Sequence, residues 1–294
     1  MLPAMARKLR ITIVGPGRLG TALALELSRA GYAIPEIVSR RTASSRRKAR
    51  ALAKLVGARS VTASDALLNA DLIWFCVPDR AIAAAAGELA RFPWKGKVAF
   101  HSSGALSSRE LLKLRSRGAA VASVHPFMTF VRGAVPSLKG VPIAVEGDAA
   151  ALRASRQIAR SLSAELFSIR EAQKSAYHAW GAFTSPLVVS LLVTAERVAR
   201  AAGHSAAQAR RRMLPIIAQT LANYARLGPA GAFSGPLVRG DVDVVRRHLQ
   251  ALRRFPEAAE AYRALSKSAL RHLPVQSRRQ IQAALSARSK TSSH

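Results

Sequence analysis

Gly15-Pro16-Gly17-Arg18-Leu19-Gly20 follows the apolar run 9–14 and opens an alanine- and leucine-rich stretch with helical period. The spacing is G-x-G-x-x-G, and its setting is strand, tight turn, helix. That setting lays a dinucleotide pyrophosphate on a helix N-terminus. Gly15 permits the sharp turn, Gly17 brings backbone N–H groups close to phosphate, and Gly20 lets the helix pack against the strand.

A second strand, near 34–38, ends in Ser39-Arg40-Arg41-Thr42. An NAD-binding domain places Asp or Glu about twenty residues beyond the last glycine, to hold the ribose 2′-hydroxyl. No carboxylate stands there, and Glu36 comes too early. Arg40 and Arg41 instead suit a 2′-phosphate, because a planar guanidinium binds phosphate in a bidentate way. Arg18, a cation in the first turn of a helix, opposes the macrodipole unless an anion sits there. The cofactor expected is NADP(H), held by Gly15, Gly17, Arg18, Leu19, Gly20, Ser39, Arg40 and Arg41, with Val77, Pro78 and Asp79 from a later strand end.

The chain of 294 residues is long enough for about two domains on a length prior. Hydrophobic residues make up 49% of it, which excludes an intrinsically disordered chain. The net charge of +30 favours anionic ligands, and a charge-driven association with nucleic acid is one alternative reading. The arginines are scattered, no zinc-finger spacing occurs, and aromatics are only 5%, so no specific nucleic-acid partner is expected. Cys76 is the sole cysteine, so no intramolecular disulfide can form and a reducing, cytoplasmic setting is expected. No grouping suggests a metal site. Residues 1–10 lack the apolar core of a signal peptide. The uncharged stretch 179–195 approaches membrane-spanning length, but its Thr, Ser and Pro residues point to a core or dimer-interface helix, with no membrane partner.

Strand and helix patterns alternate through the first half. Helices are expected at 21–30, 44–55, from Ser64-Asp65 onward, at 80–90 with Asp79 as cap, and at 107–116. Strands are expected near 60–62, 71–77, 97–100, 121–124 and 141–145. This alternation predicts an α/β fold, a doubly wound parallel Rossmann sheet over residues 1–147. Helical period then dominates, after a helix at 149–163 and a short strand at 165–169. An all-helical substrate and dimerisation domain is expected over 148–275, then a basic helix end and tail over 276–294.

In open parallel sheets ligands bind beyond the carboxyl ends of the strands. Pro78-Asp79, His101-Ser102-Ser103 and His125 fall at such ends. Ser102 and Ser103 could hold a substrate carbonyl or carboxylate, His101 could contact substrate, and His125 could shuttle a proton. Lys174 and His178, four residues apart, share a helix face that Gly181 and Ser185 continue, and Pro186 should break that helix. Lys174 could protonate or clamp a developing alkoxide. Which of Lys174, His178 and His125 is the acid stays open. Arg239 and Asp241 are substrate-binding candidates: Arg239 is placed to reach a substrate carboxylate or to pair with Asp241, which is also the expected cap of the next helix.

Six motifs carry a resemblance. They are Gly-Pro-Gly-Arg-Leu-Gly, Val77-Pro78-Asp79, His101-Ser102-Ser103-Gly104, Val124-His125-Pro126, Lys174-x-x-Tyr177-His178 and Gly235-Pro236-x-x-Arg239-Gly240-Asp241. Together, over residues 9–273, they resemble Rossmann-like proteins with a helical C-terminal domain of unknown function. That family is similar to the 6-phosphogluconate dehydrogenase-like reductases: ketopantoate reductase, pyrroline-carboxylate reductase, hydroxyacid dehydrogenases and prephenate dehydrogenase. The resemblance implies a nicotinamide-dependent oxidoreductase, often a homodimer through its helical domain. His178 stands where the hydroxyacid dehydrogenases carry Asn, and Pro186 where the family often carries another. The expected activity is hydride transfer between NADPH and a carbonyl or imine carbon of a small carboxylate-bearing substrate such as a 2-keto acid, ketopantoate included. A non-catalytic NADP sensor is the other alternative.

Overall fold

The computed structural model describes residues 8–287, which form two compact units divided between Ser185 and Pro186. The termini outside that range carry most of the N-terminal segment and the end of the basic tail read above. The first unit is built on an eight-stranded sheet of order β3-β2-β1-β4-β5-β6-β7-β8. Its strands are β1 (Ile11–Val14), β2 (Glu36–Ser39), β3 (Arg59–Thr62), β4 (Leu72–Phe75), β5 (Val98–His101), β6 (Ala120–Pro126), β7 (Pro142–Gly147) and β8 (Glu165–Ser168). The strands β1 to β6 are parallel, in the order 3-2-1-4-5-6 of a dinucleotide-binding fold.

Short apolar strands explain the two-sided core. In β4, Leu72 and Trp74 face one layer while Ile73 and Phe75 face the other, and all four are buried. The first layer is covered by α1 (Arg18–Arg29), α2 (Ala43–Val56) and α5 (Ala149–Ser161), through Leu23, Leu27, Leu52 and Ile158. The second is covered by α3 (Ile82–Leu89) and α4 (Leu112–Arg115), through Ile82, Leu89 and Leu114. Alternating burial on both faces is what a doubly wound sheet requires.

Three local expectations fail for identifiable reasons. No helix starts at Ser64-Asp65. The Thr62 hydroxyl bonds Ser64 at 2.7 Å and Asp65 at 2.6 Å, while the Glu36 carboxylate accepts the N–H groups of Leu67 and Leu68. Those amides are therefore held outside a helix. Asp79 does not cap the following helix, which begins with a 3-10 turn over Asp79–Ala81. The segment expected as helix at 107–116 is a 3-10 turn, Ser108–Leu111, followed by the short α4.

The sheet also departs from all-parallel. The irregular link 127–141 contains no helix to carry the chain back across the sheet, so β7 runs antiparallel to β6. β8 then adds parallel to β7 after α5. The expected division at 147/148 thus falls inside the first unit, because β7, α5 and β8 extend its sheet. Gly147 sits where the antiparallel pair closes: with φ +143°, its Cβ would come 2.3 Å from the Val121 carbonyl oxygen.

α6 (Lys174–Thr184) completes the first unit, and Ser185 (φ −133°, ψ −80°) ends it before Pro186, as the proline predicts. The second unit is helical: α7 (Pro186–Ala201), α8 (Ala206–Ala232), α9 (Pro236–Arg239), α10 (Val242–Ala251), α11 (Pro256–His272) and α12 (Arg278–Ser286). Ser205 and Gln208 form a reciprocal capping box at the start of α8. Val245, Leu249, Leu270, Val275, Ile281 and Leu285 form a core shared by α10, α11 and α12.

Candidate functional site at the strand ends

The strand order reverses between β1 and β4, and the glycine turn lies there. A Cβ on Gly15 would stand 2.6 Å from the Cys76 carbonyl oxygen, and one on Gly20 would stand 2.0 Å from the Gly15 carbonyl oxygen. Side chains are impossible at both positions without moving backbone. At Gly17, by contrast, the nearest atom to an added Cβ is 3.8 Å away, an ordinary van der Waals contact, so the backbone here is not closely packed. Gly17 is also the cap residue of α1, with no side chain bonding the first N–H groups and no acid in the first turn.

The turn borders a cleft of about 240 Å³. Gly15, Gly17, Val77 and Pro78 line it together with Ser39, Arg40, Thr42, Ser44, Ser45 and Lys48, and with one carboxylate, Glu88. Apolar strand ends with two cations and several hydroxyls suit an adenosine ribose bearing a 2′-phosphate. The residues present therefore fit the phosphorylated nicotinamide cofactor. The details differ from the sequence reading. Ser39 is buried and its hydroxyl is taken by the Val61 and Arg40 carbonyls. Leu19 packs on the core, and Arg18 is exposed outside the cleft. Arg41 also stands outside it, where its charge helps hold the Asp65 carboxyl below the usual range, after the larger effects of Thr62 and Ser64 hydrogen bonds. Lys48 and the hydroxyls at the start of α2 take its place. The Thr42 cap pattern was readable in the sequence; Lys48 emerges only when α2 turns it toward β2.

The next strand ends carry a polar network. Lys174 at the start of α6 is buried, with 2% of its surface exposed. Its Nζ donates to the Ser123 hydroxyl at 2.6 Å and to the Ser103 carbonyl at 3.1 Å. The Ser103 hydroxyl donates to Asp79 at 2.8 Å and accepts from the Leu106 amide at 2.8 Å. Asp79 is thus an anchor of the turn after β5. Burial lowers the Lys174 pKa, and the charges of Glu146 and Asp79 oppose that shift.

His125 bonds the Tyr177 hydroxyl through Nδ1 at 2.6 Å, and Tyr177 itself is buried. Burial, followed by the charges of Lys174 and His178, lowers the His125 pKa from 6.5 to about 4. Burial also raises the Tyr177 pKa, so the phenol keeps its proton. A phenol that donates to Nδ1 fixes the neutral tautomer with its proton on Nε2. The exposed His178 meets the same place: a Cβ on Gly104 would lie 2.8 Å from His178 and 3.0 Å from His125 Nε2. The bare Cα of Gly104 is what lets both imidazoles converge over this turn. The sequence reading gave Tyr177 and Gly104 no role, although both lie in quoted motifs.

Other candidates are committed elsewhere. His101 is wholly buried; its Nδ1 accepts from the Ser103 amide at 3.1 Å and its Nε2 donates to the Ser107 carbonyl at 2.8 Å. It therefore shapes the turn and cannot reach a substrate. The Ser102 hydroxyl accepts from the Trp74 indole at 2.8 Å. Gly181 lies under Phe127, whose ring stacks 4.4 Å from Trp180, so the small-residue face of α6 is covered there. In the second unit Arg239 pairs with Asp241 at 2.8 Å, the second of the two arrangements expected, and Asp241 makes no side-chain cap of α10. Among the described residues no cluster could hold a metal ion.

Residues 4–126 match the family described as a Rossmann-like domain, and residues 141–269 match a domain of unknown function, DUF2520. The two matches follow one another along the chain in the order that the motifs implied. No curated protein has a matching sequence. Among solved structures, a provisionally assigned NADP oxidoreductase from Bacteroides fragilis is 24% identical, with TM-score 0.75 over 89% of this chain and 97% of that one. A reductive aminase from Aspergillus terreus, in complex with NADPH and ethyl-5-oxohexanoate, is 20% identical, with TM-score 0.64 over 90% and 94%. An imine reductase from Myxococcus stipitatus, in complex with NADP+, is 18% identical, with TM-score 0.63 over 89% and 94%. These likenesses establish a shared fold.

The depressed imidazoles have a stability consequence. His101 is also lowered to about 4, chiefly by burial. Each unfolded histidine binds a proton near 6.5, so the unfolded state takes up more protons between 6.5 and 4. Stability should be full above pH 6.5 and fall progressively as pH drops toward 4. Thermal melts across that range should show the decline, and His125→Gln should make it shallower. Parallel profiles for the two proteins would contradict the buried neutral His125.

Proposed function

We propose that the protein is an NADP(H)-dependent reductase that delivers hydride to a carbonyl or imine carbon of a small substrate, which the strongly basic chain favours as a carboxylate. The observation that carries this reading is the continuity of two features along one short segment. Val77 and Pro78 line the cleft with Arg40 and Lys48, and the next residue, Asp79, anchors the Ser103–Gly104 turn where His125 and His178 meet. The solved structures named above, bound to NADPH or NADP+, support the cofactor choice.

The cofactor would supply the hydride, with the glycine turn holding its pyrophosphate and Arg40 and Lys48 its 2′-phosphate. This chain's own groups would handle the rest. Nε2 of His125 is directed toward Gly104 and, with Tyr177 donating to Nδ1, would carry the proton that polarises the acceptor oxygen or nitrogen, while the exposed His178 can pass a proton from solvent. Lys174, too buried to meet a substrate, holds the floor of the site and places its positive charge behind it. A 2-keto acid, ketopantoate among them, and a cyclic imine are the substrate classes to separate.

The test is NADPH oxidation against a panel of 2-keto acids and cyclic imines. Turnover should occur with at least one class, and NADPH should bind at least tenfold more tightly than NADH. Arg40→Ala with Lys48→Ala should erase most of that preference. Gly104→Ala should depress kcat at least tenfold with cofactor affinity little changed, because its methyl group would push the imidazoles apart. Equal affinities for the two cofactors would defeat the 2′-phosphate assignment.

The active species is proposed to be a homodimer in the cytoplasm, the latter on the sole cysteine, Cys76, buried and unpaired. By length and composition the helical run Glu171–Ala201 could cross a membrane. Its first turns, however, are tied to the site through Lys174. The apolar α7 buries none of its residues in the single chain, with Leu187, Val189, Leu191 and Val193 exposed. On the neighbouring α8, Leu214, Ile216 and Leu221 are exposed as well. A buried-core role for this stretch is thus excluded within one chain, and an apolar surface of this kind calls for a partner. Sedimentation at micromolar concentration should give a dimer, and a monomer would contradict it.

A further inference from the structure

In the second unit, α11 and α12 border an open concavity of about 550 Å³ that is lined by none of the residues of the cleft or the strand-end site above. Lys267, Arg271, Arg278 and Arg279 line it together with Gln282 and Leu270. No carboxylate lines it. Lys267, Arg271 and Arg279 make no hydrogen bond or ion pair with any described residue. Residues 186–294 contain five acids, and four of them, Glu196, Asp241, Asp243 and Glu257, are already paired with Arg210, Arg239, Arg246 and Arg197.

The arrangement is fixed by packing. Ile281, Ala284 and Leu285 of α12 are buried against Leu270 and Val275, which sets α12 beside the end of α11. The Arg278 guanidinium donates to the carbonyls of Leu270 and Leu273, so one of the four cations is clamped in place. Cations in the last turn of α11, such as Arg271, complement its dipole. Arg278 and Arg279 stand in the first turn of α12, where the dipole disfavours them and no acid compensates. Like charges held together in one hollow repel. A packed scaffold that keeps them there is organised for a dense anion.

We propose that this hollow is a binding site for a soluble polyphosphate-bearing anion, distinct from the cofactor cleft. Guanidinium forks from two helix ends would bind adjacent phosphoryl groups in a bidentate way, with Lys267 adding a point charge. A site of this volume takes a small molecule, in the range of ordinary ligand pockets.

The probe is inorganic tripolyphosphate, titrated calorimetrically into the full chain at low salt. Saturable binding is expected, and Arg271→Gln with Arg279→Gln should weaken it at least tenfold. The cleft variant Arg40→Ala with Lys48→Ala should leave a tripolyphosphate site intact. These charges are exposed, so the double variant should fold with an equal or higher melting temperature. Tripolyphosphate should raise the melting temperature of the wild type and not that of the double variant. Lys267→Gln, tested alone, should weaken binding to a smaller degree. Binding that is unchanged in the double variant, or lost only in the cleft variant, would overturn the proposal. So would a short DNA duplex that competes more tightly than tripolyphosphate and shows the same arginine dependence, since that would make the hollow part of a nucleic-acid surface.

Discussion

The close approach of three backbone segments at the end of β1 is the constraint from which the rest follows. The Cys76 carbonyl sits against Gly15, and the Gly15 carbonyl sits against Gly20, at separations that leave no room for a Cβ. That contact draws the start of α1 down between β1 and β4, where the strand order reverses. A free helix N-terminus then faces the crevice between the two halves of the sheet. The apolar strands supply the energy of the fold, but this packing decides where an anion can sit.

A second constraint is the buried ammonium of Lys174. A charge taken out of water persists only when paired or hydrogen-bonded. Here its partners are the Ser103 carbonyl just after β5 and the Ser123 hydroxyl within β6, so that satisfying one cation joins α6 to two neighbouring strands. Tyr177 and His178 follow one turn later on the same helix, one hydrogen-bonded to His125 and the other reaching the surface at Gly104. The His125 imidazole, its pKa lowered mainly by burial and next by the charge of Lys174, thus shares its surroundings with that side chain.

Much of this was legible in the sequence because it is local. The glycine turn, the missing carboxylate after β2, the alternation of strands and helices, and the break at Pro186 all depend on neighbours within a few residues. The parts that were not legible depend on pairings across the chain. Tyr177 meets His125 across 52 residues, and Lys174 meets Ser103 across 71. His101 looked available because its motif follows a strand, whereas its ring is turned inward and both nitrogens are taken by backbone. Arg40 and Arg41 are equivalent as letters, yet the turn into α2 sends one to the cleft and the other toward Asp65. The antiparallel β7 could not be read from its apolar pattern, since direction is decided by the link that precedes it.

Amide hydrogen exchange of the full chain with and without NADPH tests the central claim most directly, because it reports where the ligand lies without requiring a substrate. Slowed exchange is expected over residues 15–20 and 39–48, with NADH protecting the first segment and much less of the second. Protection absent from the glycine turn, or identical protection of 39–48 by both nucleotides, would contradict the account.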